Sequence, residues 1–168
     1  MGQIADGETP RYALLDGVAF CAMPKAAWSS LRAACVDSGG TSALGIPAVE
    51  RRISVVRHPY DRARSWWQDQ RAAHSCSDIA LELYRSNDTF DIHWASQSWL
   101  VDIYGATEIW RYENLQEHWA AFRPDIALPH RNAARRHRHG IEYVLDETAK
   151  TLIHRRYISD FKRFGYDP

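Results

Sequence analysis

Residues 18–40 read VAFCAMPKAAWSSLRAACVDSGG, a short apolar run, a turn and a helix-period pattern in direct succession. The run from Val18 to Met23 has the length and the continuous apolar character of a strand that is buried on both faces. After Pro24 and Lys25 the apolar residues recur at helical spacing until Ser38-Gly39-Gly40 ends the pattern. The segment therefore predicts a buried strand, a tight turn and a helix.

The same order of strand, turn and helix occurs twice more along the chain. Ile53 to Val56 predicts a second buried strand, and Tyr60 to about Ala73 predicts the helix after it, with Pro59 suited to its first turn. Thr107 to Tyr112 predicts a third strand, and Leu115 to Phe122 predicts its helix. Strands that alternate with helices indicate an α/β fold with a central parallel sheet flanked by helices.

Four further segments have weaker patterns. Ile79 to Tyr84 and Asp91 to Tyr104 favour helices. Asp146 to Phe164 has helical periodicity, and we expect it to pack back onto the sheet. Tyr12 to Leu15 either pairs with the first strand or leads into it.

The composition is typical of one globular domain: 168 residues, 45% apolar and 25% charged. We expect residues 1–10 to be a loose segment and residues 11–168 to form a single domain. Lys plus Arg equals Asp plus Glu at 21 each, so no overall charge favours nucleic acid. No run approaches the ~20 apolar residues of a membrane span, and no signal peptide is evident, which favours a cytoplasmic protein. The three cysteines lack a CxxC pair, so the sequence predicts neither a disulfide framework nor a four-thiolate zinc site.

The first turn, residues 23–31, has the properties of an anion-binding site. Backbone N–H groups at a helix N-terminus carry partial positive charge, small residues let an anion approach them, and two serine hydroxyls add donors. Lys25 adds a mobile charge, and it is the only lysine before Lys150 in a chain with 18 Arg and 3 Lys. The turn lacks the GxxxxGK[ST] pattern of a Walker A loop. The alternative interpretation is an ordinary helix start with an exposed lysine.

The second turn combines an arginine with a hydroxyl that can face the same pocket. Arg57 ends a buried strand, and Ser65 follows two helical turns into the next helix. An arginine with a hydroxyl is well suited to a phosphate. Because ligands of such folds bind at the carboxyl ends of the strands, we expect both turns to face one cleft. The alternative for Arg57 is a salt bridge at the end of the strand.

Taken in order, these segments resemble the PAPS-dependent sulfotransferases. Residues 24–31, PKAAWSSL, look like the 5′-phosphosulfate loop of that family, and residues 56–62, VRHPYDR, with Ser65 look like its 3′-phosphate motif. Further matching segments are Asp91-Ile92-His93-Trp94 with Gln97, Arg111-Tyr112-Glu113-Asn114-Leu115, Leu128-Pro129-His130-Arg131-Asn132, and the ending from Tyr157 to Tyr166. The set covers residues 18–166 and is most similar to the carbohydrate sulfotransferase branch.

The resemblance implies a P-loop-like three-layer fold. It also implies transfer of a sulfuryl group from PAPS (3′-phosphoadenosine 5′-phosphosulfate) to a hydroxyl of a carbohydrate or small molecule, with PAP as product and no metal. Lys25 would be catalytic and would contact the bridging and 5′-phosphate oxygens. The residues that would hold the 5′-phosphosulfate with it are Ala26, Ala27, Trp28, Ser29 and Ser30. Arg57 and Ser65 would bind the 3′-phosphate, and Tyr112 would lie near the adenine.

Two positions depart from the family pattern. Ala27 stands where the family often has glycine, and Trp28 stands where it has a small residue. The loop is then either tighter than usual, or its Trp stacks on a ligand.

The transfer also needs a base for the proton of the acceptor hydroxyl. Histidine is the usual choice near neutral pH. His93 is our candidate, because it lies in a helix-leaning segment that matches the family's His-Trp motif. The alternative is a packed histidine that orients Trp94. Glu113 and His58 are the other candidates.

The sequence allows more than one interpretation of residues 130–140, of the Trp66-Trp67 pair and of the overall function. Residues 130–140 form a basic stretch that predicts a loop, which either closes over the 3′-phosphate, meets an acidic acceptor or is simply surface. Of the Trp66-Trp67 pair, one ring can be core and the other can stack on an acceptor sugar. The alternative functions are a non-catalytic module that binds PAP or another bisphosphate, and a P-loop-like kinase, which the missing Walker A loop disfavours.

Overall fold

A computed structural model describes residues 9–70, 92–130 and 145–168. Over these ranges, five strands form one sheet. They are β1 (Arg11–Leu15), β2 (Val18–Cys21), β3 (Thr41–Leu44), β4 (Arg51–Val56) and β5 (Glu108–Arg111), in the order β3-β1-β2-β4-β5. The predicted strands correspond to β2, β4 and β5, while β3 was not predicted.

The sheet is mixed, so the prediction of a parallel sheet is right for one half and wrong for the other. β2, β4 and β5 run parallel, whereas β1 is antiparallel to both β2 and β3. The reason is the two-residue turn Asp16-Gly17, in which both residues have positive φ, 49° and 75°. Such a turn joins neighbouring strands as a tight antiparallel hairpin.

Six α-helices lie in the described ranges. They are α1 (Trp28–Asp37), α2 (Pro59–Gln70), α3 (Gln97–Ile103), α4 (Leu115–Phe122), α5 (Glu147–Arg156) and α6 (Ile158–Phe164), with a 3-10 turn at Tyr112–Asn114. The predictions of α1, α2 and α4 are confirmed, up to Gln70 for α2. The predicted helix at 79–84 lies outside the described residues. None of the helices in the described ranges is long and apolar enough to cross a membrane.

Two predicted helices have different limits in the structure. The helix expected from Asp91 to Tyr104 begins only at Gln97, because the Ser96 hydroxyl accepts a hydrogen bond from the Trp99 N–H and caps the start. The helix expected from Asp146 to Phe164 is interrupted at Tyr157, whose φ and ψ of −112° and 29° leave the helical region. The resulting helices α5 and α6 pack against α2 and α3 respectively.

The core lies on both faces of the central strands. All four residues of β2 are buried, and so are Ile53 to Val56 of β4. Phe20 of β2 contacts three aromatic rings, those of Trp110, Trp119 and Phe122, at centroid distances of 5.6–5.8 Å. This packing fixes the carboxyl ends of β2 and β4, from which the turns into α1 and α2 emerge.

Candidate functional site

The turn between β2 and α1 has an unusual backbone. Lys25 and Ala27 both have positive φ, 64° and 66°. This left-handed conformation costs roughly 1–2 kcal/mol for a residue with a Cβ. Turns that contain left-handed residues can direct successive N–H groups into one concavity, where an anion binds. Within the described part of the chain, no side chain caps the start of α1 at Ala27, which leaves that helix end suited to an external anion.

The turn between β4 and α2 contacts the first turn directly. The Nη1 atom of Arg57 donates a hydrogen bond to the backbone oxygen of Lys25 at 3.4 Å. The Arg57 guanidinium also lies over the ring of Tyr112, 4.4 Å from the ring centroid. The two turns that the sequence singles out are therefore neighbours.

A cavity of about 380 Å³ lies between the two turns. Nine of the residues predicted for the site line it: Lys25, Ala27, Trp28, Ser29, Ser30, Arg57, Ser65, His93 and Tyr112. Ala26 is the exception, because its side chain is buried beneath the turn. The cavity also has lining residues that were not among the predicted site residues: Pro24, Gln68, Leu115, Gln116, Leu128, Pro129 and His130.

The cavity lining is basic. In the described part of the chain it includes Lys25, Arg57 and two histidines, His93 and His130, and no carboxylate. With two permanent cations and no acidic residue, the lining favours an anionic ligand. Among the described residues, no group of three His, Cys, Asp or Glu side chains is placed to hold a metal ion.

His93 does not lie in a helix, contrary to the prediction. It belongs to the turn that precedes Ser96, and its side chain is exposed at the cavity. The neighbouring Trp94 packs instead against Trp66, with ring centroids 4.1 Å apart. The imidazole is therefore accessible to a ligand, while the next residue anchors the turn.

The other two candidate bases do not line the cavity. Glu113 accepts a hydrogen bond from the His58 N–H at 2.9 Å and another from the Tyr166 hydroxyl at 2.9 Å. Burial, together with this carboxylate, raises the pKa of Tyr166. The His58 ring contacts the backbone oxygen of Asp167 at 3.0 Å. These contacts attach the end of the chain to the turn after β4.

Comparison with known proteins identifies the family to which the chain belongs. A family model described as "Sulfotransferase family" matches residues 49–167, about seven tenths of the chain. The chain belongs to the sulfotransferase family. The match includes the Arg57 turn, Ser65, His93 and Tyr112 of this sulfotransferase, whereas the Lys25 turn precedes the matched range and is joined to it by the cavity. No curated protein and no solved structure matched the chain.

Arg57 of this sulfotransferase is held by a contact that the sequence did not reveal. Gln97 is fully buried; its Oε1 accepts from the Arg57 N–H at 2.8 Å, and its Nε2 donates to the Arg57 backbone oxygen at 2.8 Å. Asp160 of α6, also fully buried, accepts from the N–H groups of Gln97 and Ser98 at 2.8 and 2.7 Å. A continuous set of hydrogen bonds thus connects α6 to Arg57.

Proposed function

We propose that this sulfotransferase moves a sulfuryl group from PAPS to the hydroxyl of an acceptor at the cavity between the two turns. The observation that carries the proposal is that Lys25, Arg57 and Ser65, from two separate strand-to-helix turns, line one cavity with no carboxylate in its described lining. PAP has phosphate groups on both sides of one ribose, so its binding needs two anion sites on a single cavity. The two turns supply a site of this kind.

Each end of the donor has its own set of groups. The N–H groups at the start of α1, with the Ser29 and Ser30 hydroxyls, suit the 5′-phosphosulfate. Arg57 and Ser65 suit the 3′-phosphate, since a guanidinium and a hydroxyl both donate to phosphate oxygens. Tyr112, whose ring already contacts Arg57, lies on the lining and suits a position near the adenine.

Lys25 and His93 have the chemistry of the transfer itself. PAPS supplies the sulfuryl group, with PAP as the leaving group. The Lys25 ammonium stabilises the negative charge that develops on the phosphate oxygens. The exposed imidazole of His93 accepts the proton of the acceptor hydroxyl. Both side chains line the same cavity, which brings the acid-base group and the cation to one reaction site. The acceptor is a carbohydrate or a small hydroxyl compound.

The proposal is tested with labelled PAPS and a panel of carbohydrate and small hydroxyl acceptors in the presence of a chelator. We expect a labelled product, and we expect Lys25→Ala to lower the rate about 100-fold or more while the affinity for PAP falls less. Lys150→Ala is the matched control, because Lys150 is a half-exposed residue away from the cavity lining whose partner is Glu147, at 2.7 Å, and it should keep the wild-type rate.

Three results would contradict the proposal. Failure to bind PAP would exclude PAPS as the sulfuryl donor. Binding of PAP without transfer to any acceptor would indicate a non-catalytic module. A requirement for Mg²⁺ with a preference for ATP would indicate a kinase.

A further inference from the structure

One buried arginine donates hydrogen bonds to the backbone of two turns that line the cavity. Arg62, in the second turn of α2, is only 3% exposed. Its Nε donates to the Pro24 backbone oxygen at 3.3 Å, and its Nη1 donates to that of Ala95 at 2.7 Å. Its Nη2 lies 3.4 Å from the Ile92 oxygen and 3.3 Å from the His93 oxygen. A single guanidinium therefore contacts four backbone carbonyl groups.

These carbonyl groups belong to two segments that are far apart in the sequence. Pro24 directly precedes Lys25 in the first turn, while the other three residues form the turn that carries His93. The two turns line the same cavity. Arg62 thus connects the backbone on which the Lys25 cation depends to the backbone that presents the His93 imidazole.

The chemistry of the contact requires an arginine. Burying a cation is unfavourable unless several polar groups compensate it. In the described ranges, the hydrogen-bond partners of Arg62 are carbonyl oxygens and none is a carboxylate. The planar guanidinium has five N–H donors in a fixed arrangement, whereas the lysine ammonium is a compact group with three. Lysine would keep the charge but could not span both turns.

We propose that Arg62 is a positioning residue that couples the Lys25 turn to the His93 turn, so that an anion bound at the first turn also orders the second. The proposal rests on the function proposed above. It assigns to Arg62 no contact with the substrate. Its effect is to fix where the catalytic cation and the base stand relative to each other.

The test is hydrogen exchange of the backbone amides with and without PAP, for the wild type, Arg62→Lys and Arg62→Gln. In the wild type, we expect PAP to slow exchange about tenfold or more in residues 24–31 and also in residues 92–98. In either folded Arg62 variant, we expect the protection of 24–31 to persist and that of 92–98 to be lost. Arg64→Lys is the control, because Arg64 is an exposed residue of the same helix that pairs with Asp61 at 3.6 Å, and it should behave as the wild type.

A spectroscopic measurement separates coupling from general loosening. The imidazole ¹H–¹³C resonance of His93, assigned through His93→Gln, should shift on addition of PAP in the wild type and in Arg64→Lys, and should shift less in the Arg62 variants. Protection of 92–98 that persists in Arg62→Lys would overturn the proposal, since PAP would then act on that turn directly. The proposal would also be overturned if the wild type bound PAP and hydrogen exchange slowed only in residues 24–31. This result does not depend on whether the variants fold. Wild-type protein that binds no PAP would instead refute the proposed function.

Discussion

Replacement of Asp160 by asparagine tests how the end of the chain supports the site. The Asp160 carboxylate is fully buried and accepts two hydrogen bonds, from the N–H groups of Gln97 and Ser98, at the start of α3. Asparagine has nearly the same shape, but it has one carbonyl acceptor and presents an NH2 group to the other N–H donor. The substitution therefore removes one bond and the negative charge without creating a cavity.

The size of the effect follows from these contacts. A hydrogen bond to a charged group contributes about 1.5–3 kcal/mol, and a negative charge at a helix N-terminus contributes about 0.3–1 kcal/mol. We expect Asp160→Asn to lower the free energy of unfolding by about 2–4 kcal/mol, which is a large part of the ~5–15 kcal/mol of a typical domain. Because Gln97 holds the backbone of Arg57, we also expect the affinity for PAP to fall, by about three- to tenfold for a disturbance of roughly 0.6–1.4 kcal/mol.

Urea unfolding at pH 7 and calorimetric titration with PAP measure the two effects. Asp146→Asn is the matched control: Asp146 caps α5 by accepting from the Ala149 N–H at 2.7 Å, but it is exposed, and asparagine caps a helix about as well. We expect a change below about 0.5 kcal/mol there. The reasoning would be refuted if both variants lost the same stability. If Asp160→Asn kept the full PAP affinity, the connection to Arg57 would be wrong.

Three further predictions concern backbone strain, the ring over Arg57 and the buried thiols. Ala27→Gly relieves the strain of a left-handed alanine and should raise the free energy of unfolding by about 0.5–1 kcal/mol after the entropy of glycine is subtracted. Ala33→Gly, inside α1, should lower the free energy of unfolding by about 1 kcal/mol. Urea unfolding in which both substitutions changed the stability in the same direction would contradict this reasoning. Tyr112→Ala removes a cation–π contact of about 0.5–2 kcal/mol and should weaken PAP binding about 2- to 30-fold in calorimetry. An unchanged affinity would show that the ring does not support Arg57. Burial raises the pKa of Cys21 and of Cys35 to about 12, so the unfolded chain releases protons above pH 9 that the folded chain keeps. The free energy of unfolding should then fall as the pH rises from 9, by up to about 1.4 kcal/mol per pH unit for each thiol. Cys35→Ala should make this pH dependence less steep in urea titrations. A pH dependence that the substitution leaves unchanged would argue against the prediction.

The parts of the fold that are buried and regular were predictable from the sequence. β2 and β4 are continuous apolar runs, and α4 has the limits that its periodicity predicts. β3 was missed because its residues, Thr41 to Leu44, lie at the sheet edge, mostly exposed, and show no apolar pattern. The antiparallel hairpin could have been found, since the Asp16-Gly17 dipeptide between β1 and β2 is a strong hairpin signal.

The site was predictable to the level of which residues meet, but not how they are held. Eight of the nine predicted residues that line the cavity follow the carboxyl ends of β2, β4 or β5, whereas His93 reaches the cavity from the turn before α3. The left-handed backbone at Lys25 and Ala27 was unpredictable, since neither residue is glycine. The contact of Gln97 with Arg57 joins residues 40 positions apart, which no local pattern records. Arg62 did leave a signal: it lies four positions before Trp66, on the apolar face of α2.

The central claim is that two turns bind opposite ends of one adenosine bisphosphate. Its most direct test is the ratio of the affinities for PAP and for 5′-AMP, which lacks the 3′-phosphate. Calorimetry in the presence of a chelator should give the wild type a preference of about 10²- to 10⁴-fold, because the guanidinium and the hydroxyl supply charge-assisted bonds of about 1.5–3 kcal/mol each. Arg57→Ala should lose most of that preference while binding 5′-AMP almost as before. Arg51→Ala, which removes an exposed arginine at the opposite end of β4, should retain it. Equal affinity of the wild type for both nucleotides, or an equal loss for both in Arg57→Ala, would contradict the claim.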